Sequence, residues 1–549
     1  MKIAAEVYKK GYHLTGEKNR IDLIAPNNQK LYEFHFFKDE VLILKQDGFL
    51  WVKSIENIHL YRGRGLLTVV LNWKLVQKGN SMLFPLYFKN RSWKMSKTEP
   101  RTLAGFMELM PNEQILFEQI KQKIEKTYQK FGFLPLDTPI LELSEVLLAK
   151  AGGETEKQIY RFEKGDTDIS MRFDLTVPLA KYVAKNYGNL SFPFRRYQIG
   201  KVYRGEKAQK GRYREFYQCD IDIIGDETLD IINDAELPAV IYSTFRTLGF
   251  ENFTIKINNR KILNGLFEGI GQKDKSVEIL RIIDKIDKIG EQAVRKEIAE
   301  LGVDEKIVNT IVDFIKIDGS ADEKIEKLEK MDLYSANIVE NDNQNAENMT
   351  NATFTKGVNE LKEVVENIRL FGVPDKNFTV DLTIARGLDY YTGTVYETFL
   401  NDYREIGSVC SGGRYENLAE NYTDKKLPGV GVSIGLTRLF YKLNELNLIK
   451  ADKKSISDIL IVPMTENKKV PLELATNLRN LGINTEIYLN NKKIKAKMKY
   501  ADKLAIPYVI VIGDDEIANN TVKVKKMETG EEKLTDFNAE SIKNLIKGE

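Results

Sequence analysis

The sequence predicts an α+β protein of several domains: a β-rich core interrupted by a helical insertion, a C-terminal α/β domain and a small β-rich N-terminal module. The first observation is length, because 549 residues are too many for one hydrophobic core. The second is that strand-like runs dominate the middle of the chain but give way to helical periodicity over residues 265–372. The third is the alternation of strands and helices over residues 457–549, which is typical of a compact α/β domain.

The first 94 residues are predicted to form an appended module of unknown role. They contain all three histidines, all three tryptophans, and 16 Lys and Arg against 8 Asp and Glu. Short β-rich runs alternate there with turn residues, which favours a small antiparallel barrel or sandwich. The basic charge would suit RNA or an anionic surface, and a purely structural module is the other interpretation.

The rest of the chain divides into four predicted parts. Residues 95–264 would form the first part of the core, opening with an amphipathic helix at about 112–131. The insertion follows over residues 265–372, and the second part of the core over residues 373–450. A change of pattern then leads into the C-terminal domain, residues 457–549.

Composition excludes several classes of protein. The chain is 42% hydrophobic and 30% charged, which is ordinary for a soluble globular protein. No apolar run approaches the roughly 18 residues that a membrane span requires. Two cysteines, Cys219 and Cys410, cannot build a disulfide framework, so we expect a cytoplasmic protein. The core has no histidine, which excludes a Ser-His-Asp triad, and we predict no metal site made of protein side chains.

A predicted hairpin at residues 192–225 concentrates cations around its turn. Arginine suits a polyphosphate ligand, because its planar guanidinium binds phosphate through two hydrogen bonds. A solvated basic surface is the other interpretation, but acidic and amide residues interleaved on the second strand make it less favourable. The cations are Arg195, Arg196, Lys201, Arg204, Lys207, Lys210, Arg212 and Arg214, and the interleaved residues are Glu215, Gln218, Asp220 and Asp222.

Three further clusters carry polar groups. If they lie on a strand, Asp174 and Thr176 share a face and could hold an ammonium group together with Gln218; the alternative is a helix N-cap. Residues 386–393 combine an arginine and two tyrosines with glycines, either a polar pocket or a turn. Residues 429–440 combine a glycine-rich strand with the start of a helix that carries Arg438, an arrangement that can meet a phosphate. No Walker A motif is present, so a P-loop nucleotide site is not expected.

Together these segments resemble the histidyl-tRNA synthetases, a family of class II aminoacyl-tRNA synthetases, from about Thr102 to the C-terminus. The segment TLAGFMELMP resembles the opening of the family's sequences, and FGFLPLDTPILE resembles their motif 1. The segment KVYRGEKAQKGRYREFYQCDIDIIG resembles their motif 2. The segment ARGLDYYTGTVYE resembles the signature that is specific to the family, and PGVGVSIGLTRL resembles motif 3. The segment around KMKYADKLAIPYVIVIGDDE resembles the family's anticodon-binding domain. The resemblance implies the antiparallel-sheet core of class II enzymes. It also implies activation of L-histidine with ATP and transfer of histidine to the 3′ end of tRNA(His).

The resemblance also assigns roles to residues. It implies that Arg204 and Arg386 are catalytic and neutralise charge at the α-phosphate. The residues that would bind histidine are Asp174, Thr176 and Gln218 at the amino group and Asp222, Tyr390 and Tyr391 at the imidazole. The residues that would bind ATP are Arg204, Glu206, Arg212, Phe216 and Arg438. The residues that would meet the tRNA acceptor end are Lys207, Gln209, Lys210 and Arg214.

Further expectations follow from the same resemblance. Mg²⁺ would bind with the ATP phosphates, and motif 1 implies a homodimer. The alternative is the synthetase-like regulatory subunit of ATP phosphoribosyltransferase, which belongs to histidine biosynthesis. Such subunits typically lack the C-terminal domain and lose parts of the ATP site, whereas this chain keeps Arg204, Arg386 and Arg438. An RNA-binding or structural protein on the same fold is a third possibility, and the retained pocket residues argue against it.

Overall fold

The computed structural model describes residues 99–149, 154–207, 211–283, 285–331, 344–384 and 391–548, and the backbone of eight strands between residues 13 and 89. The chain divides into two compact units, Met1–Arg101 and Thr102–Glu549. Among these described residues, no helix is long and apolar enough to cross a membrane.

The N-terminal unit is β-rich, as the sequence predicts. It contains a five-stranded and a three-stranded sheet, and in both each strand pairs antiparallel with the next along the chain. The strands of the first sheet are β1 His13–Glu17, β2 Arg20–Ile24, β3 Lys30–Phe36, β4 Glu40–Lys45 and β5 Gly48–Lys53. Those of the second are β6 Ile55–Gly63, β7 Leu66–Trp73 and β8 Phe84–Lys89.

An eight-stranded, mainly antiparallel sheet forms the centre of the second unit, in agreement with the predicted β-rich core. Its order is β16-β15-β17-β18-β19-β14-β13-β9, and a small sheet of order β10-β12-β11 lies apart from it. The strands are β9 Leu134–Pro135, β10 Leu141–Leu143, β11 Arg161–Lys164, β12 Thr167–Met171, β13 Phe194–Tyr203, β14 Glu215–Ile224, β15 Phe253–Asn259, β16 Phe378–Val380, β17 Thr394–Leu400, β18 Cys410–Tyr415 and β19 Gly429–Gly435.

Helices cover one face of this sheet and build the insertion. The predicted amphipathic helix is confirmed at Pro111–Lys130, where it buries Phe117 and Ile124, and the hydroxyl of Tyr128 donates to the Cys219 carbonyl at 3.1 Å. The other α-helices of this part are Ser144–Leu148, Glu154–Gln158, Thr176–Asn186, Ile232–Leu248, Arg260–Gly269, Ser276–Ile283, Ile286–Ile289, Glu291–Glu300, Glu305–Ile315, Ala321–Glu329, Gln344–Leu370 and Leu436–Glu445. Short 3₁₀ helices lie at Tyr187–Asn189, Lys273–Lys275, Asp375–Asn377 and Asn401–Ile406.

The C-terminal domain is a mixed five-stranded sheet flanked by helices. Strands and helices alternate, as the sequence predicts, and the central strands pair in parallel. An antiparallel hairpin that the pattern did not predict extends one edge. The strands are β20 Ile459–Pro463, β21 Thr485–Ile487, β22 Tyr508–Ile512, β23 Thr521–Lys526 and β24 Glu532–Asp536. The helices are Lys469–Asn480, Ile494–Lys503, Asp514–Asn519 and Ala539–Lys547.

The strand interpretation of Asp174 and Thr176 is wrong. The chain leaves β12 at Met171, and Thr176 is the first residue of the helix Thr176–Asn186. The Asp174 carboxylate accepts a hydrogen bond from the Val177 backbone N–H at 3.0 Å, through Oδ1. That oxygen therefore caps the start of the helix from the position before its N-cap residue, Leu175, because the first N–H groups of a helix need an acceptor from outside it.

Candidate active site

A polar strip runs along the face of β14 opposite to the one that packs against the helices Pro111–Lys130 and Ile232–Leu248. Strand alternation sends Cys219, Ile221 and Ile223 into the hydrophobic core and Gln218, Asp220 and Asp222 to the other face. The register extends the strip sideways, because these three residues lie opposite Gly200, Gln198 and Arg196 of β13 and opposite Gly435, Ser433 and Gly431 of β19. Local sequence pattern and strand pairing thus build one polar floor from three strands.

Arg196 and Asp222 anchor one end of this floor. Arg196 Nη2 lies 2.6 Å from Asp222 Oδ2 and also donates to the Leu175 carbonyl at 3.1 Å. The other oxygen of Asp222 accepts a hydrogen bond of 2.8 Å from the Tyr415 hydroxyl. A Cβ atom at Gly431 would overlap Asp222 Oδ1, so only glycine leaves room for this carboxylate.

Asp174 is placed beside the same floor by the helix that it caps. Its side chain is buried, and Oδ2 has no hydrogen-bond partner. Burial raises the pKa of Asp174, while the Val177 N–H and the nearby Arg204 guanidinium act in the opposite direction. The residue therefore offers one oxygen to the helix and one to a ligand.

Two more buried acceptors on β14 lack partners. Gln218 donates from Nε2 to the Ser433 hydroxyl at 2.9 Å, which leaves Oε1 without a partner, and Asp220 Oδ1 has none either. Burial raises the pKa of Asp220 to about 7 and that of Asp222 to about 6, and Arg196 counteracts both shifts. Because buried acceptors are normally paired, this strip is suited to a ligand that brings hydrogen-bond donors.

Arginines and an aromatic ring lie at the Gln218 end of β14. The Arg204 guanidinium carbon lies 5.2 Å from the centre of the Phe216 ring, and Arg204 Nε donates to the Phe173 carbonyl at 3.0 Å. Arg212 pairs with Glu206. Burial and the nearby charge of Arg212 lower the pKa of Arg438. These two cations therefore lie near each other. Neighbouring cations of this kind are stabilised by a multiply charged anion such as a polyphosphate.

The four residues predicted at the tRNA acceptor end have separate outcomes. Arg214 is engaged within the protein, since its Nε donates to the Glu206 carbonyl at 2.8 Å and its backbone N–H to the Gly105 carbonyl at 2.8 Å. Lys207 is exposed. Gln209 and Lys210 lie outside the described residues.

The signature segment is described only from Tyr391 onward. Tyr391 packs over β18, where a Cβ atom at Gly413 would lie 3.0 Å from its ring. Arg386 and Tyr390 lie outside the described residues. The structure therefore brings Asp174, Gln218 and Asp222 together at the floor, while the roles of all these residues stay predictions.

Sequence reasoning gave no role to several residues of the site. Arg196 is only one of the cations of the predicted hairpin, and Asp220 only one of its interleaved acids. Tyr415 and Ser433 were not selected as site residues, although both hydrogen-bond to carboxylates of β14. Strand periodicity alone puts Asp220 on the face of Gln218 and Asp222, so it was a signal that could have found Asp220.

The chain is similar to known proteins over most of its length. The family description "Histidyl-tRNA synthetase" matches residues 105–439, and "Anticodon binding domain" matches residues 458–548. The histidine–tRNA ligase of Clostridium tetani is 58% identical over 433 residues, which cover 79% of this chain and 95% of that relative. That of Finegoldia magna is 49% identical over 440 residues, covering 80% and 98%. The crystal structure of histidyl-tRNA synthetase from Nostoc sp. PCC 7120 superposes with a TM-score of 0.71 at 36% identity, covering 82% of this chain and 99% of that one. The chain belongs to the histidyl-tRNA synthetase family.

Proposed function

We propose that this protein is a histidine–tRNA ligase, which activates L-histidine with ATP and transfers it to tRNA(His). The observation that carries the proposal is that two complementary groups of side chains lie around the hairpin of β13 and β14. Asp174 and Gln218 carry buried, unpartnered acceptors, and Arg204 is close enough to Asp174 to act on its charge. Arg212 and Arg438 form a second group of neighbouring cations. An amino acid and a polyphosphate would thus bind side by side, as adenylation requires.

The acceptors fit the α-ammonium group of an amino acid. An ammonium group has three N–H donors and no acceptor, so Asp174 Oδ2 and Gln218 Oε1 can each receive one of them. Thr176, at the start of the capped helix, would add its hydroxyl oxygen. Asp222, Tyr390 and Tyr391 are the residues that the family resemblance assigns to the imidazole.

The cations fit the charge that develops during adenylation. A histidine carboxylate oxygen attacks the α-phosphorus of ATP, a new P–O bond forms, and the bond to the leaving pyrophosphate breaks. Arg204 would stabilise the charge on the α-phosphate together with Arg386. Phe216 would stack on adenine, while Glu206, Arg212 and Arg438 would hold the rest of the nucleotide. This requires no side-chain base, which agrees with a core whose sequence contains no histidine.

Mg²⁺ would enter with ATP. Among the residues that the structure describes, no group of three His, Cys, Asp or Glu could hold a metal ion. The donor set therefore fits an ion bound mainly by phosphates and water, as Mg²⁺ often is in nucleotide sites. When bound, the ion would neutralise phosphate charge, and the protein residues would orient the nucleotide.

Transfer is the second half of the proposed reaction. The 3′-terminal ribose hydroxyl of the tRNA attacks the carbonyl carbon of histidyl-adenylate, an ester bond forms, and AMP leaves. Lys207, Gln209, Lys210 and Arg214 would meet the acceptor end, with Arg214 acting chiefly through the loop backbone that it holds. The C-terminal domain would read the anticodon.

A homodimer is the proposed assembly. Apolar side chains are exposed around the segment that resembles motif 1, and β9 is an edge strand of the large sheet. The exposed residues are Leu134, Ile140, Leu141, Leu143 and Phe162. Exposed apolar side chains of this kind favour burial against a partner, and a second copy would cover them.

We also propose a cytoplasmic location, where tRNA and ATP are available and where the two buried cysteines would stay reduced.

The decisive experiment is ATP–pyrophosphate exchange with each of the twenty amino acids, followed by aminoacylation of tRNA(His). Exchange that depends on histidine supports the proposal. A folded protein without such exchange would point instead to the regulatory subunit of ATP phosphoribosyltransferase.

A further inference from the structure

The turn Leu103–Phe106 contacts the loop that connects β13 and β14. The Phe106 N–H donates to the Leu103 carbonyl at 3.0 Å, and Gly105 has a φ of +85°, in the left-handed region. A Cβ atom at Gly105 would lie 2.8 Å from Cγ of Arg214, which is closer than real Cβ contacts. Both the backbone conformation and the space at this position therefore require glycine.

This turn supplies a hydrogen-bond acceptor to the beginning of β14. Strand β19 pairs with β14 only from the fourth residue of β14 onward, so earlier backbone donors on that side need other acceptors. The Tyr217 N–H donates to the Thr437 hydroxyl at 2.8 Å. The N–H groups of Arg214 and Glu215 both donate to the Gly105 carbonyl, at 2.8 and 3.2 Å. The turn thus continues the pairing of β14 beyond the end of β19.

Arg214 joins the two limbs of the loop. Its Nε donates to the Glu206 carbonyl at 2.8 Å, and its own carbonyl accepts the Arg204 N–H at 2.9 Å. The Glu206 side chain in turn pairs with Arg212. One arginine, packed against Gly105, therefore sets the spacing between residues to which the family resemblance assigns ATP binding.

The limb of the loop that ends in β14 has a second anchor, on the helix Leu436–Glu445. The rings of Tyr213 and Tyr441 pack edge to face, with their centres 5.7 Å apart. That helix also carries Arg438, a further residue that the resemblance assigns to ATP. This limb is thus held by the helix, and the limb that leaves β13 is tied to it through Arg214.

We propose that Gly105 is a positioning residue for the nucleotide, which acts through Arg214 to hold the loop in the shape that receives ATP. This rests on the proposed function, since it names what orients the ATP-binding residues of the same site. A side chain at Gly105 would push Arg214 away from the Glu206 carbonyl, and the two limbs would shift relative to each other. The pair of Glu206 with Arg212 would then be misplaced, whereas the residues that hold histidine would keep their positions.

The test uses Gly105→Ala in the full-length protein, with Gly372→Ala as the matched control. Gly372 has a φ of +83°, and no atom beyond its chain neighbours lies within 4 Å of a Cβ placed there, so its replacement adds similar backbone strain without a steric contact. In histidine-dependent ATP–pyrophosphate exchange, Gly105→Ala should raise the KM for ATP about 10–100-fold, since a misplacement of about 1 Å can cost about 100-fold. The KM for histidine should stay within about twofold. Gly372→Ala should change neither value.

Arg214→Lys separates position from charge. Lysine keeps the cation and the apolar stem but lacks the guanidinium Nε that donates to the Glu206 carbonyl. The KM for ATP should therefore rise in this variant as well. Because exchange is measured without tRNA, the effect is independent of any contact with the acceptor end. In an Arg214→Ala background the methyl group of Gly105→Ala meets fewer atoms, so it should raise the KM for ATP by a smaller factor than in the wild type.

The proposal is overturned if Gly105→Ala keeps the wild-type KM for ATP, or if it raises the KM for histidine as much as that for ATP. A wild-type KM for ATP in Arg214→Lys would overturn it too, and this variant decides alone if Gly105→Ala does not fold. Absence of histidine-dependent exchange in the wild-type protein would instead refute the proposed function, so the two failures are distinguishable.

Discussion

Arg196 and Asp222 lie directly opposite each other on β13 and β14 and form an ion pair of 2.6 Å in which neither side chain is more than 3% exposed. Burying both charges is costly, and their geometry is maintained by the Leu175 carbonyl and the Tyr415 hydroxyl. The pair fixes the floor of the site against the helix that begins at Thr176, because Arg196 contacts both. It connects the packing of the fold with the place where substrate would bind.

Removing Arg196 should destabilise the protein strongly. In Arg196→Leu, Asp222 would remain buried without its cation, so we expect the free energy of unfolding to fall by about 3–5 kcal/mol. Urea denaturation followed by circular dichroism measures this change. Arg161→Ala removes an exposed ion pair with Asp168 and should leave the midpoint unchanged. Equal stability of Arg196→Leu and the wild type would contradict a structural role for the pair.

Replacing either proposed catalytic arginine should abolish adenylation while preserving the fold. We expect Arg204→Ala and Arg386→Ala to lower the rate of exchange at least about 100–1,000-fold, because each removes a cation that stabilises the transition state. Arg204→Lys should recover only part of the loss, since lysine lacks the planar fork. Lys185→Ala, at an exposed cation of the helix Thr176–Asn186, is the control. Near-normal exchange in an alanine variant would refute the role of that arginine.

The buried carboxylates should make stability depend on pH. The pKa of Asp220 in the folded protein is about 7, above its ordinary value, because burial and Asp222 and Asp174 outweigh Arg196 and the Ser433 hydroxyl. Between about pH 4 and 7 the folded state therefore holds a proton that the unfolded state releases, and stability falls as the pH rises through this window. Asp220→Asn lacks this loss. Its melting temperature relative to the wild type should rise from pH 5 to pH 7 and level off above pH 8. A constant or falling difference would contradict the assignment.

A charge at the proposed dimer surface should produce monomers. Leu141 is 47% exposed in the single chain, and a second copy would bury it. We expect Leu141→Lys to shift the sedimentation coefficient from that of a dimer to that of a monomer, because an unpaired ammonium group would have to be buried. Leu534→Lys, on the C-terminal domain, introduces the same charge at an exposed leucine and should leave the assembly unchanged. A wild-type protein that sediments as a monomer would end the dimer proposal.

Removal of the N-terminal module should leave adenylation intact. A chain that starts at Met95 keeps the second compact unit, so histidine-dependent exchange should stay within about twofold of the full-length value. If the basic module binds RNA, truncation should also weaken tRNA binding more at about 50 mM than at about 200 mM salt, since phosphate contacts are screened by salt. Equal tRNA affinity of the two chains at both salt concentrations would favour the structural interpretation. Loss of exchange on truncation would contradict the independence of the two units.

Local patterns in the sequence were sufficient for the fold class and the family. The helical spacing at 112–131, the change to helical periodicity after residue 264 and the alternating C-terminal pattern each reflect short-range rules. The motifs around Arg204 and Arg438 are contiguous, so their order along the chain carried the functional assignment. The hairpin β23–β24 was not predicted: β23 alternates buried valines with lysines, but β24 is mostly exposed and leaves only a weak hydrophobic pattern.

Tertiary structure decided which of the polar residues act together. Residue spacing alone was compatible with Asp174 on a strand or at the start of a helix. The hydrogen bond from the Val177 N–H shows that it lies at the start of a helix, and the fold leaves the other carboxylate oxygen without a partner. Strand alternation places Asp220 and Asp222 on the same face of β14. Only the pairing with β13 and β19 brings Arg196 to Asp222 and leaves one oxygen of Asp220 without a partner. The physical reason is that hydrogen-bond partners of buried groups come from residues distant in the chain. Sequence by itself therefore determined which chemistry the protein carries, and the tertiary structure decided how the buried charges are divided between holding the fold and meeting the substrate.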